Sequence, residues 1–116
     1  GDGEQTRSFM YIDDCLSGMG RLMASSYTDP LNLGRAELVS INGLLDIIEG
    51  IAGITLKRNY DLSKPQGVRG RNSDNALIQS TLGWEPEVDL ATGLEKTYRW
   101  IEEQYERRKR GEIVVD

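Results

Sequence analysis

The sequence predicts a mixed α/β domain of four helices with a few short strands. Three observations carry this. Apolar residues recur at helical spacing in three separate stretches. Four positions able to cap a helix, Asp13, Ser40, Asp74 and Asp89, precede helical segments. Short runs with aromatic or β-branched content lie between them. At 116 residues, with 38% hydrophobic and 28% charged side chains, the chain is at most one ordinary globular domain.

Residues 6–12, TRSFMYI, favour an extended strand. Asp13 is the expected cap of a first helix, whose apolar stripe is Ile12, Cys15, Leu16, Met19, Leu22 and Met23. Gly18 and Gly20 weaken this helix intrinsically and are expected to let another backbone pack closely. Leu31-Asn32-Leu33 reads as a short strand ended by Gly34. Ser40 caps a second helix with Ile41, Leu44, Leu45, Ile48, Ile51 and Ala52 on one face, and Gly53 stops it. Alternation at Ile54, Leu56, Arg58 and Tyr60 predicts a half-buried strand. Residues 61–73 form a loop around Pro65, Gly67 and Gly70. Asp74 caps a short third helix that Gly83 ends, and Trp84 and Pro86 follow in a turn. Asp89 caps the last helix, expected to reach about Arg110, with Leu90, Leu94, Tyr98, Ile101 and Tyr105 on its apolar face. Glu95–Arg99, Glu103–Arg107 and Glu106–Arg110 are its expected i,i+4 pairs. Residues 1–110 are read as the folded unit and 111–116 as a tail.

Charge and composition narrow the chemistry. A net charge of −5 argues against a generic nucleic-acid binder, although an acidic chain can carry a local basic site for a phosphorylated ligand. The single cysteine, Cys15, precludes an internal disulfide and suggests a cytoplasmic setting. The absence of histidine excludes a His-based triad and nearly excludes the usual zinc sites. No apolar run approaches the ~20 residues of a membrane-spanning helix. Cys15 is read as a small apolar residue rather than a nucleophile. Adjacent Asp13 and Asp14 are read as capping and dipole-stabilising groups rather than an acid–base pair. The run 107–110, RRKR, is read as a solvated helix end.

Two motifs about sixty residues apart point to a ligand. Gly1-Asp2-Gly3 followed by Gln5-Thr6-Arg7 presents an amide, a hydroxyl and a guanidinium together. That set suits a nucleotide base or sugar and a phosphate, since guanidinium donates two parallel hydrogen bonds to an oxyanion. The alternative is that Arg7 pairs with a surface carboxylate. Residues 67–75, GVRGRNSDN, place Arg69 and Arg71 beside two flexible glycines and just before a helix start, a setting that attracts anions. The alternative is an ordinary polar loop. Asp74 either caps the helix or holds Arg71.

The order GDGEQTRSFMYIDD, LNLG, GVRGRNSDN, LGWEP, GLEKTYRWI resembles the extended short-chain dehydrogenase/reductase family over residues 1–104. GVRGRNSDN is similar to the GDP-mannose 3,5-epimerase group within it. The resemblance implies the C-terminal substrate-binding portion of a Rossmann-type enzyme with the Rossmann half absent. It implies an isomerase that uses NAD to oxidise a GDP-mannose-class sugar transiently. Substrate contacts are then expected at Gln5, Thr6, Arg7 and Arg71, with Arg71 on the diphosphate and no direct contact assigned to Arg69. No glycine-rich dinucleotide loop is present. The NAD site, the catalytic Tyr-x-x-x-Lys pair and the catalytic residues generally are expected outside this chain, so no catalytic residue and no metal ligand is assigned here. The alternatives are the same domain of a UDP-glucuronate decarboxylase or GDP-mannose dehydratase, or a non-catalytic interaction domain. Helices shaped to pack on a missing half are expected to leave apolar surface exposed and to drive self-association of this chain.

Overall fold

A computed structural model of the chain describes residues 1–112. The elements are β1 (Thr6–Arg7), α1 (Ile12–Met23), β2 (Val39–Ser40), α2 (Ile41–Ala52), β3 (Gly70–Arg71), α3 (Ala76–Leu82) and α4 (Leu90–Lys109). The three strands form one small sheet in the order β2-β1-β3. β1 runs antiparallel to β2, with Thr6 opposite Ser40 and Arg7 opposite Val39. It runs parallel to β3, with Thr6 opposite Gly70 and Arg7 opposite Arg71. A parallel pair needs a long crossover, here α1, β2 and α2, so residues distant in sequence meet across it.

Four capping expectations are realised in detail. Ser40 Oγ accepts the Gly43 N–H at 3.0 Å, and Asp89 Oδ1 accepts that of Thr92 at 2.9 Å. Gly53 and Gly83 end α2 and α3 in the left-handed region, at φ +67° and +59°. Their N–H groups reach the carbonyls of Glu49 and Gln79. α2 packs against α4. Glu95 and Arg99 form an i,i+4 contact at 3.8 Å. Near the end of α4, Arg107 and Arg110 both donate to Glu112, and Lys109 pairs with Glu106. Glu112, expected in the free tail, is therefore anchored; residues 113–116 of that tail lie outside the described residues.

Other expectations are corrected. β1 ends at Arg7 rather than at residue 12. The residue before α1 is Tyr11, which makes no side-chain cap bond. Asp13 and Asp14 sit within its first turn. Asp14 turns inward instead: it is buried, and its two oxygens accept the backbone N–H groups of Glu87 and Val88 at 3.2 and 3.0 Å. The second carboxylate of the pair thus latches the turn after Trp84 onto α1. Neither Leu31–Leu33 nor residues 54–60 forms a strand. In the second segment the Leu56 N–H is taken by Glu49 Oε1 at 3.1 Å, and Arg58 is clamped by Asp46 and Glu49, so side chains of α2 hold it in place of a neighbouring strand. α3 starts after Asn75, and Asp74 reaches it from one residue further out, accepting the Ala76 N–H at 2.9 Å.

The core is small. Among the described residues only Ile78 and Trp84 are fully buried apolar side chains. Gly18 lies flush against this core, because a Cβ there would stand 2.2 Å from Leu33 Cδ1 and 3.0 Å from the Trp84 ring. The close approach is therefore by side chains rather than backbone, and a Cβ at Gly20 would meet nothing within 4 Å. Ile12, Leu16, Met19 and Met23, spaced as one stripe of α1, are about half exposed or more, as are Trp100, Ile101 and Tyr105 on α4. The accessible surface is 8209 Å², whereas a closed globule of 13.0 kDa would show about 6,300 Å². The radius of gyration, 17.3 Å, exceeds the ~13 Å of a compact domain of this length. The amphipathic pattern was read correctly as helix, but its apolar face on α1 has no covering element within the described residues.

Candidate functional site

Register in the small sheet builds the site. Because Arg7 pairs with Arg71 across β1 and β3, the two arginine motifs become neighbours. Both arginines line a cleft of about 490 Å³, together with Ser8, Asn32, Leu33, Gly34, Arg35, Asn72 and Ser73. Three chain segments meet there and are tied together by backbone. The Arg35 carbonyl accepts from Ser8 Oγ and from the Ser73 N–H. Asn75 Nδ2 donates to the Gly34 carbonyl at 2.9 Å, and Asn72 Nδ2 to that of Ala36 at 2.8 Å.

Neither predicted phosphate ligand is neutralised by a carboxylate among the described residues. Arg7 Nη1 donates to the carbonyls of Thr6 and Val68 at 2.6 and 2.7 Å, which orients the guanidinium without cancelling its charge. Arg71 is exposed and makes no ion pair among the described residues. Asp74 does not hold it; that carboxylate is spent on Ala76. Arg69 differs: it pairs with Asp2 at 3.1 Å and donates to Gln66. The bond from the Glu4 N–H first, and Arg69 second, hold the Asp2 carboxyl below its ordinary value. The two arginines of the second motif are thus separated by function, one tied to the first loop and one left for the cleft.

Thr6 and Gln5 lie elsewhere. Thr6 Oγ1 faces the opposite strand, 3.5 Å from the Arg69 carbonyl. A Cβ on Gly70 would stand 2.7 Å from that hydroxyl oxygen, so any larger residue would displace the Thr6 side chain. Gln5 lines a second cavity of about 300 Å³ with Ile41, Asn42, Leu45, Arg58 and Tyr60 among its walls. Its Oε1 is buried and has no hydrogen-bond partner among the described residues. Asn42 organises this side. It donates to the Asp2 carbonyl and to Glu4, and accepts from the Tyr60 hydroxyl at 2.9 Å. The Gly3 backbone, at φ +77°, passes so close that a Cβ would overlap the Asn42 amide. Bonds to Asp46, then Glu49, raise the pKa of Arg58 further above its ordinary value.

No family model matches the chain. It is 48% identical over 109 residues to GDP-mannose 3,5-epimerase 1 of Oryza sativa subsp. indica, and 46% identical over 109 residues to GDP-mannose 3,5-epimerase of Arabidopsis thaliana. Each alignment covers 94% of this chain and 29% of the relative. The fold superposes with a TM-score of 0.82 and 32% identity on UDP-glucuronic acid 4-epimerase from Bacillus cereus, solved in complex with UDP-glucuronic acid and NAD. That match covers 89% of this chain and 34% of the epimerase.

The chain belongs to the extended short-chain dehydrogenase/reductases.

It corresponds to a C-terminal portion of that fold and spans just under a third of the length of the curated relatives it matches. The curated relatives and the solved structure it matches are nucleotide-sugar epimerases. The residues present do not fit the family's dinucleotide cofactor, since no glycine-rich strand-to-helix turn occurs in the chain. The Tyr-x-x-x-Lys spacing, by contrast, occurs twice, at Tyr60/Lys64 and Tyr105/Lys109. Neither pair sits at the cleft. The Tyr60 hydroxyl is committed to Asn42, and Lys109 lies 4.4 Å over the Tyr105 ring while bonding Glu106. No helix among the described residues is long and apolar enough to cross a membrane. Sequence reasoning missed Arg35, Asn72 and Ser73 as cleft residues; the hydrogen-bonding run after Arg71 was the one available hint.

Proposed function

We propose that this chain is the substrate-binding domain of an NAD-dependent nucleotide-sugar epimerase of the GDP-mannose 3,5-epimerase type. Arg7 and Arg71 grip the diphosphate and Gln5 contacts the remainder of the ligand, while Thr6, whose hydroxyl faces β3, supports the register that brings the arginines together. The observation that carries this is the β1–β3 register, which sets two arginines without carboxylate partners among the described residues side by side in one cleft. Gln5 stands two residues from Arg7 on the same chain, about 7 Å along an extended backbone. Its unpaired buried oxygen therefore suits a donor on a nucleoside whose phosphates rest on the arginines. NAD+, held by chain outside these residues, supplies the transient hydride acceptor; this chain's part is to bind and orient the sugar nucleotide. The GVRGRNSDN loop favours a GDP-sugar over the UDP-sugar of a decarboxylase.

Calorimetric titration with GDP-mannose, against UDP-glucuronate and NAD+, tests this. Binding to this chain alone is expected to be weak, because many ligand contacts are missing while the loss of ligand freedom remains. GDP-mannose should bind saturably and lose at least tenfold in Arg71→Ala. Equal binding of UDP-glucuronate, or GDP-mannose binding indifferent to Arg71→Ala, refutes the assignment.

The excess surface favours a second reading, of assembly. Its area, about 1,900 Å² by the scaling above, is more than the ~800 Å² each partner contributes to a standard interface. In a longer protein the remaining chain covers the α1 stripe; in this chain alone, a second copy does. Sedimentation should show concentration-dependent association that Leu16→Glu abolishes. A monomer at all concentrations refutes it.

A further inference from the structure

We propose that Arg35 is a third anion-contacting residue of the cleft, so that the cleft is built for a diphosphate rather than a single phosphoryl group. The inference rests on the proposed reading of Arg7 and Arg71 and extends it to a residue that neither motif contains. Arg35 lines the cleft beside both of them. Its carbonyl is pinned by Ser8 and Ser73, which fixes its backbone at the cleft wall. Its side chain is mostly buried, 18% exposed, and is held at two points: Nε donates to Glu37 at 3.0 Å and Nη1 to the Val88 carbonyl. Nη2 has no partner among the described residues. A guanidinium held by two donors with a third left over is preoriented, and loses little freedom when it takes a ligand oxygen.

Charge supports the same assignment. Three arginines line the cleft, and the one carboxylate paired with any of them among the described residues, Glu37, is half exposed to solvent. That leaves a local excess of about two positive charges on a chain whose net charge is −5. One phosphoryl group presents its oxygens around a single centre, whereas two linked groups spread theirs over a longer span and so suit arginines that come from three separate chain segments. Arg35 also ties the loop after Gly34 to the turn after Trp84, so its structural part must be separated from ligand contact.

Inorganic pyrophosphate and orthophosphate, titrated into the 116-residue chain, separate these. Pyrophosphate should bind more tightly than orthophosphate, and both Arg35→Gln and Arg71→Gln should weaken it about tenfold, the loss of one charge-assisted bond. Arg35→Lys keeps the charge and should recover part of the binding. The Arg35 Nε–H resonance should shift on adding pyrophosphate to the unmutated chain, a change that loop bracing alone does not produce. If Arg71→Gln weakens binding while Arg35→Gln and the Nε–H resonance are unmoved, the cleft stands and Arg35 is only a brace. If pyrophosphate does not bind at all, the anion cleft itself is refuted, and Arg35 with it.

Discussion

Replacing Asp14 by alanine should be among the most damaging single changes on α1, although Asp13 beside it should be nearly silent. Asp14 is 6% exposed and accepts two backbone N–H groups, from Glu87 and Val88. Alanine leaves both donors without their acceptor. A hydrogen bond to a charged acceptor contributes about 1.5–3 kcal/mol net. Because the two bonds share one carboxylate, and water can reach a loosened turn, a loss of about 2–4 kcal/mol is expected. Unfolding entropy for 116 residues is about 0.24 kcal/mol per degree, so the melting temperature should fall by about 8–16 °C. Asp14→Asn keeps one acceptor and should cost about half as much. Asp13 is exposed and offers only the helix-dipole term, about 0.3–1 kcal/mol. Urea unfolding followed by circular dichroism measures all three. If the pair serves the helix start alone, Asp13→Ala and Asp14→Ala will match. That equality, or a loss below 1 kcal/mol for Asp14→Ala, refutes the latch.

Packing at two glycines and the charge of one cap can be tested separately. Gly18→Ala should destabilise by about 1–3 kcal/mol, since its Cβ would meet Leu33 and the buried Trp84 ring, whereas Gly20→Ala should stabilise by up to about 1 kcal/mol in open space; thermal melts compare them. Bonds from the Thr92 N–H and hydroxyl hold the Asp89 carboxyl below its ordinary value of 3.8, so its contribution is complete above that value and disappears as pH falls through the lower folded one. Stability between pH 5 and 2 should therefore fall less steeply in Asp89→Asn than in the unmutated chain, and parallel curves would refute the cap's part in acid sensitivity.

Much of the fold was legible along the chain because it depends on local chemistry. A Ser or Asp cap, a left-handed glycine and an apolar stripe act within one or two turns, which is why α2, the start of α4 and the ends of α2 and α3 were read correctly. The family was legible too, through motifs whose residues lie together in sequence. The expected strands at 31–33 and 54–60 failed because alternation describes a side-chain pattern, while a strand needs a neighbour to accept its hydrogen bonds.

Tertiary structure decided the rest. That Arg7 stands beside Arg71, that Arg69 is tied to Asp2, and that Asp14 faces inward while Asp13 faces water all depend on contacts between segments far apart in sequence. Arg35 carries no motif, and only the meeting of three loops brings it to the cleft. The stripe on α1 announced a buried face, and the structure leaves that face exposed among the described residues. Sequence by itself determined which helices form and which family the chain belongs to. The fold alone determined which of its arginines remain available to an anion, because the charge of a guanidinium is cancelled or left over by whatever the chain brings to within a few ångströms of it.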